Sequence, residues 1–319
     1  MPATLDEARK GLSSALAAEV LTCLAMLARN GELSDLQAVL SHTKSENAQI
    51  KKAAVNAATA IIHENLIVNF TRLDPAVREK LGIVLSTLSP TVIDEISKDL
   101  WGDDDERRLR AVQILGLLKK NPHVQNVLGK LVQDKNDKIR ATAVNLLGKF
   151  ISAEDKGLIM GLLSDRDKRV RANTIEALER LGNRQVVPVL LRYRNDPSNR
   201  VRGNVIKALY TLGYADVEND LLAMVTHNDN YMKASAFWVI SQIKHPSRAI
   251  EDYAGFYLLS ENEMVANNAR KALSAVNTPR SAGYIRYLDE PKSEIQEPKT
   301  DNPPPATKPE SGKPQRKSA

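Results

Sequence analysis

A single thiol, Cys23, is all that 319 residues offer. It can close no intramolecular disulfide and build no thiolate metal cluster, which fits a reducing compartment and sets the expectation of a cytoplasmic protein. Aromatic residues are almost as scarce, 4% of the chain against 42% hydrophobic residues overall. A core must therefore be assembled from Leu, Ile, Val and Ala, which favours helices over sandwiches or barrels built from aromatic and β-branched strands. Long apolar runs are missing as well. The nearest, Leu12 to Ala28, is interrupted by Glu19 and falls short of the roughly 20 apolar residues that cross a bilayer. Glu19 inside this stretch and Thr22 before Cys23 suit an ordinary amphipathic helix, not a secretory or lipoprotein leader. No membrane insertion is expected.

Neither sign of charge dominates. With 45 basic and 39 acidic residues the net charge is +6, a mixed surface that permits phosphate binding without demanding it. The five histidines, His42, His63, His123, His227 and His245, form no H-x-x-x-H pair, and no G-x-x-x-x-G-K-[ST] phosphate loop is present. These gaps lead us to expect no catalytic residues, no metal and no cofactor.

What the chain does contain is repetition. The segments IRATAVNLLGKF, VRANTIEALERLG, VRGNVIKALYTLG and MKASAFWVISQI begin at Ile139, Val170, Val201 and Met232, each 31 residues after the last. Counting the first residue as position 0, positions 4, 5, 7, 8 and 11 are apolar almost throughout, a spacing of three and four that marks one helix face. The register extends to Val20, Ile50, Val77, Arg107 and Val265, giving nine such helices B. A second periodic segment, helix A, precedes each clear unit, as in VQNVLGKLV (124–132) and VVPVLLRY (186–193). Between A and B lie Asp134, Asp165, Asp196 and Asp229, placed to cap the coming helix. Gly182 and Gly213 sit where helix B needs a stop.

The D-x(n)-V-R-x-x-A-h-x-A-L-x-x-L-G pattern of residues 165–182 and 196–213 resembles the HEAT-repeat family, in the short form seen in phycobilin lyase-like repeats. The resemblance implies an all-α protein, an α-solenoid of about nine two-helix repeats over residues 1–288 with helices B on the concave side. Each repeat would contact mainly its neighbours. Catalytic relatives of this architecture are matched poorly. His63-Glu64 is a lone pair where deoxyhypusine hydroxylases repeat it around two irons. No full catalytic set of a HEAT-like alkylpurine glycosylase can be aligned, and the repeat type alone does not transfer a lyase activity. Residues 289–319, rich in proline and nearly free of large apolar side chains, are expected to be a disordered tail, inert or a motif for a partner.

Two features of helix B carry function candidates. A basic residue recurs at position 1 (Lys51, Arg78, Arg108, Arg140, Arg171, Arg202, Lys233). A cation there opposes the helix dipole, so an Asp–Arg ladder tying adjacent repeats is expected over a phosphate-tracking surface. Positions 3, 6, 10 and 13 are left as the exposed stripe. Position 6 reads Asn56, Ile83, Gln113, Asn145, Glu176, Lys207, Trp238 and Lys271. Trp238 therefore faces outward while Phe237, Val239 and Ile240 fill the core. Its expected surroundings are Gln242 and His245 on its own helix, Lys207, Thr211 and Tyr214 on one neighbour and Lys271 on the other. Alternatively the late aromatics Tyr253, Phe256, Tyr257, Tyr284 and Tyr287 cover it. Trp101, by contrast, reads as a structural anchor.

The leading expectation is a non-catalytic scaffold that binds a protein or extended peptide along helices B. Its binding residues would be Trp238, Lys207, Lys271, Gln242, His245, Tyr214, Asn145, Glu176 and Arg180. Nine helices side by side give a surface about 80–100 Å long. The alternative is a nucleic-acid-binding protein, or a DNA-processing enzyme of HEAT-like architecture, that uses the net positive charge and stacks bases on Trp238. Oligomeric state is not legible.

Overall fold

The computed structural model describes residue 2 and residues 4–89, 91–119, 121–152, 154–214, 216–243 and 246–289. Within them lie eighteen α-helices, seven short 3-10 segments and no strand. Helix α1 (Leu5–Gly11) precedes α2 (Ala17–Asn30), and α3 (Leu36–Ser41) precedes the long α4 (Ala48–Asn69). Then come α5 (Pro75–Leu88), α6 (Val92–Leu100), α7 (Asp105–Leu115), α8 (Pro122–Leu131) and α9 (Asp137–Leu147). The regular region holds α10 (Gly157–Met160), α11 (Lys168–Arg180), α12 (Val187–Leu190), α13 (Asn199–Thr211), α14 (Glu218–Val225) and α15 (Asn230–Ile243). It closes with α16 (Arg248–Phe256), α17 (Glu263–Val276) and α18 (Pro279–Asp289). The expected tail lies outside the described residues except for Asp289, where α18 ends.

Eight of the nine expected B helices form one row, α2, α4, α7, α9, α11, α13, α15 and α17, each packed on the next. The ninth, at Val77, is α5. It packs against α4, while α4 also meets α7 directly, so α5 stands beside the row. The cause is visible locally. Nothing in HENLIVN breaks the helix after Ile61, and α4 runs on to Asn69, taking the place of a separate helix A. The extra turns bury Ile62, Leu66 and Ile67. Helix α4 joins the two parts of the core, one around Ala54, Ala57, Ala58 and Ile61, the other running from Ile62 to Val276. Two A helices, α10 and α12, are only one turn long and flanked by 3-10 turns.

The core positions are filled as the periodicity requires. Ile175, Leu178, Val205, Ile206, Leu209, Phe237, Val239 and Ile240 are all at most 1% exposed. Position 3 departs from expectation. Asn173 and Asn204 are buried, not part of the exposed stripe. Asn173 Nδ2 donates to Ala141 O (2.8 Å) and Asn204 Nδ2 to Ala172 O (3.2 Å), so each asparagine reaches back to position 2 of the preceding helix B. A buried amide with its donor satisfied is tolerated, and here it also sets the register between repeats. Trp101 departs too. It is 50% exposed and belongs to neither part of the core, so it anchors nothing through burial.

The acidic turns pair with position 1 over three joints. Arg108 bonds Asp134, Arg140 bonds Asp165 through Nε and Nη2 (both 2.9 Å), and Arg171 bonds Asp196 at 2.8 and 2.9 Å. Arg140 and Arg171 each also donate to two carbonyls of the preceding turn, which removes much of the cost of burying the guanidinium. The same aspartates accept from the backbone N–H two residues on, at Asn136, Asp167 and Ser198. They are turn formers, and the helix caps proper are the next polar residues, Asn136 for α9 and Asp167 for α11. The ladder then stops. His227 stands 31 residues after Asp196, and Arg202 turns instead to Arg194 O (3.0 Å). Both expected stop glycines take positive φ, 66° at Gly182 and 83° at Gly213. Gly213 O also accepts from Arg184 Nη2, and a Cβ there would meet that guanidinium at 2.5 Å.

Candidate functional site

Side-chain size along the row shapes one groove. At position 2, α13 has Gly203 and α15 has Ala234, and at position 3 α15 has Ser235, so the surface between these helices is low. Position −1 raises one wall with Arg200, Tyr231 and Met264; position 6 raises the other with Glu176 and Trp238. The groove between them has a volume of about 440 Å³. It draws on α11, α13, α15 and α17. Neighbouring helices lie about 8–10 Å apart, and Arg200 meets Glu176 across the groove at its α11 end (3.4 Å), so the open stretch runs from α13 to α17, about 16–20 Å.

Trp238 is 39% exposed and Tyr231 65% exposed. They stand seven residues apart on α15, two turns and about 10 Å along the same face. The ring of Trp238 is not stacked on the late aromatics: Tyr257 packs edge to face on the buried Phe237 (5.7 Å) and on the exposed Phe256 (5.3 Å). Among the described residues no acceptor is assigned to the Trp238 indole N–H, which can donate outward.

The cations at the groove are already matched. Lys207 Nζ lies 6.0 Å from the Trp238 ring centroid and is held by both carboxylate oxygens of Glu179 at 2.8 Å. Arg200 Nη2 donates to Asn173 Oδ1 (2.9 Å) and Glu176 Oε1 (3.4 Å), and Asn204 Nδ2 also reaches Glu176 Oε1 (2.7 Å). Locally the groove is close to neutral, with an apolar aromatic wall and amide groups in its floor.

Of the nine expected site residues, Trp238 and Glu176 line the groove, and Lys207 borders it at the indole. Gln242, Lys271, Asn145 and Arg180 are exposed elsewhere on the row, and Tyr214 is half-buried against the core. His245 lies outside the described residues. Expectation centred the site on the C-terminal halves of the helices; the groove instead lies on their N-terminal halves. Asn199, Arg200, Gly203, Tyr231, Ser235, Met264 and Asn268 were missed because position −1 and the small residues at position 2 were not read. The signal was present as Tyr231 seven residues before Trp238 and a glycine at 203 where the units at Ile139, Val170 and Met232 carry alanine.

A second polar cluster, at the junction of α4, α6 and α7, is structural. Arg107 bonds Asp99 (2.9 Å) and Glu64 (3.3 and 3.1 Å), and His63 Nε2 lies 3.0 Å from Asp99 Oδ2 without a well-aligned hydrogen bond. Burial pushes the His63 imidazole below its ordinary value, outweighing the pull of Asp99 and Glu64. Burial likewise raises the Cys23 thiol, leaving it a core residue. Among the described residues no three His, Cys, Asp or Glu side chains converge as metal ligands, and no helix is long and apolar enough to cross a membrane.

Residues 156–241 match the HEAT-repeat family. No curated protein sequence matches the chain. Several solved structures are similar. An engineered protein shares 14% identity at a TM-score of 0.41, over 89% of this chain and 91% of that one. The CpcE–CpcF complex of phycocyanin lyase from Nostoc sp. PCC7120 shares 15% at 0.45, over 80% and 93%. Kap121p shares 15% at 0.48, over 91% of this chain but 39% of its own. The 31-residue unit, its row of B helices and the family match over 156–241 agree: this stretch of the chain is built of HEAT repeats.

Proposed function

We propose that the protein is a non-catalytic scaffold that binds an extended peptide segment of a partner protein across α11, α13, α15 and α17. One observation carries the reading: a groove with a small-residue floor runs between two walls whose exposed aromatics, Tyr231 and Trp238, stand on one rigid helix. Tryptophan and tyrosine supply large contact area at low entropic cost and are enriched at binding hot spots. The open stretch of about 16–20 Å holds about five extended residues. The indole N–H offers a hydrogen bond to a peptide carbonyl.

The pairing of Lys207 with Glu179, and of Arg200 with Glu176 and Asn173, argues against a phosphate-binding track, because those cations would first have to give up their carboxylates. Selection of peptides from a random displayed library against the full chain tests the proposal. Selected peptides should lose at least about tenfold in affinity on Trp238→Ala, about 1.4 kcal/mol, and keep it on Trp101→Ala. Equal loss on both, or none on either, would remove the groove from the function.

A further inference from the structure

We infer that the groove also takes a segment of this same chain, the proline-rich stretch DNPPPATKPE at 301–310, docked in extended form against Tyr231 and Trp238. The inference rests on the peptide-binding reading above. Chemistry, reach and geometry support it independently.

The run Pro303–Pro305 favours a polyproline helix, which rises about 3.1 Å per residue and leaves every carbonyl without an internal partner. A segment extended along the groove crosses α15 between Tyr231 and Trp238, which stand about 10 Å apart on its two walls, so its proline rings pass between the two aromatic side chains. Proline rings pack flat on aromatic faces, and aromatic-lined grooves with a donor at the rim are the usual hosts of such segments. Here the rim donor is the Trp238 indole N–H. The stretch carries Asp301, Lys308 and Glu310, a nearly balanced set that suits a groove whose own cations are already paired.

The tether has the right length. Asn277, with φ 54°, and Thr278 reverse the chain between α17 and α18, and α18 packs on both α16 and α17. A connection this short makes the helices antiparallel, so α18 ends beside the first turns of α17, where Met264 and Asn268 line the groove. Pro303 follows Asp289 by fourteen residues. A random coil of fourteen residues has a root-mean-square span of about 20 Å. From α18, which stands beside α16 behind the row, around α17 to α15 is about two to three helix spacings, about 16–30 Å. When linker span and site separation match, the effective concentration is about millimolar, so even a segment with a Kd near 100 µM would be about 90% docked. The tail would then be a built-in competitor that a partner peptide must displace.

The chain has two tryptophans, so the test uses the full-length protein with Trp101→Phe, leaving Trp238 as the sole indole. Acrylamide quenching is compared with and without Pro303→Ala, Pro304→Ala and Pro305→Ala. Removing the prolines should raise the quenching constant about twofold, and free peptide 301–310 should reverse the rise saturably. Thermal melting monitors folding and should not change. An unchanged quenching constant would overturn the inference. So would a rise that the added peptide fails to reverse, since the prolines would then act elsewhere. If the tail fails while library-selected peptides still depend on Trp238, the groove reading stands and only its occupant is wrong. If neither depends on Trp238, both fall.

Discussion

At the scale of the residue, Phe237 and Trp238 are neighbours in sequence with opposite roles. Phe237 is fully buried, and truncating it to alanine should cost about 3–5 kcal/mol, seen as a large drop in denaturation midpoint. Trp238→Ala removes a partly exposed ring and should cost under about 1 kcal/mol while lowering peptide affinity at least about tenfold. This split was legible without coordinates, because position 6 of the repeat stands outside the apolar spacing. The environment of the indole was not. The apolar periodicity reports which side chains enter the core, whereas the groove depends on small and tall side chains on four different helices. The burial of Asn173 and Asn204 was equally hidden, because an amide carries no apolar signal and its carbonyl partner lies on the adjacent repeat. His63 provides a titratable check. Its imidazole is held below the ordinary value by burial, so the unfolded chain binds its proton more readily than the folded one. The stability it supports is present at neutral pH and is lost as pH falls below about 6.5. Denaturation midpoints measured between pH 7 and 5 should fall in the wild type and flatten with His63→Gln.

At the scale of the element, the joint between repeats is held by a guanidinium shared between two turns. Arg171→Ala should lower stability by about 2–3 kcal/mol, because it strands the nearly buried Asp196 and two carbonyl groups. Peptide affinity should be unaffected, since Arg171 does not line the groove. The recurrence of Asp and Arg at a 31-residue spacing made this ladder readable, and its interruption is readable in the same way. His227 occupies the aspartate's place and copies part of its role, with Nδ1 accepting from Asp229 N at 2.9 Å. It gives Arg202 no carboxylate. His227→Asp should restore a rung and raise the melting temperature, by about 1 kcal/mol in stability. No rise would show that Arg202 is as well satisfied by Arg194 O. The one element poorly anticipated was α4. Its eight residues after Ile61 contain no helix breaker, and tertiary burial of Ile62, Leu66 and Ile67 extends the helix through the expected repeat boundary.

At the scale of the whole molecule, a row of helices has no single centre, so loss of stability in acid should be distributed. Arg9 holds Asp35 below the ordinary carboxylate range at the first joint. Burial raises Asp165 and Asp252, but their arginine partners, Arg140 and Arg280, outweigh it and hold both low. Each contributes stability that is present above the unfolded carboxylate value, near 4, and is lost as pH falls toward the lower folded value. These pairs lie at opposite ends and in the middle of the array. Hydrogen exchange between pH 5 and 3 should therefore show protection falling along its length, not at one end. The row also places four helices under one groove, and that arrangement is the central claim. The most direct test is the affinity of a library-selected peptide for the full chain before and after Trp238→Ala, with melting temperature recorded for both. Loss of about tenfold or more at nearly unchanged melting temperature is the predicted result. Retained affinity in a folded Trp238→Ala protein would contradict it.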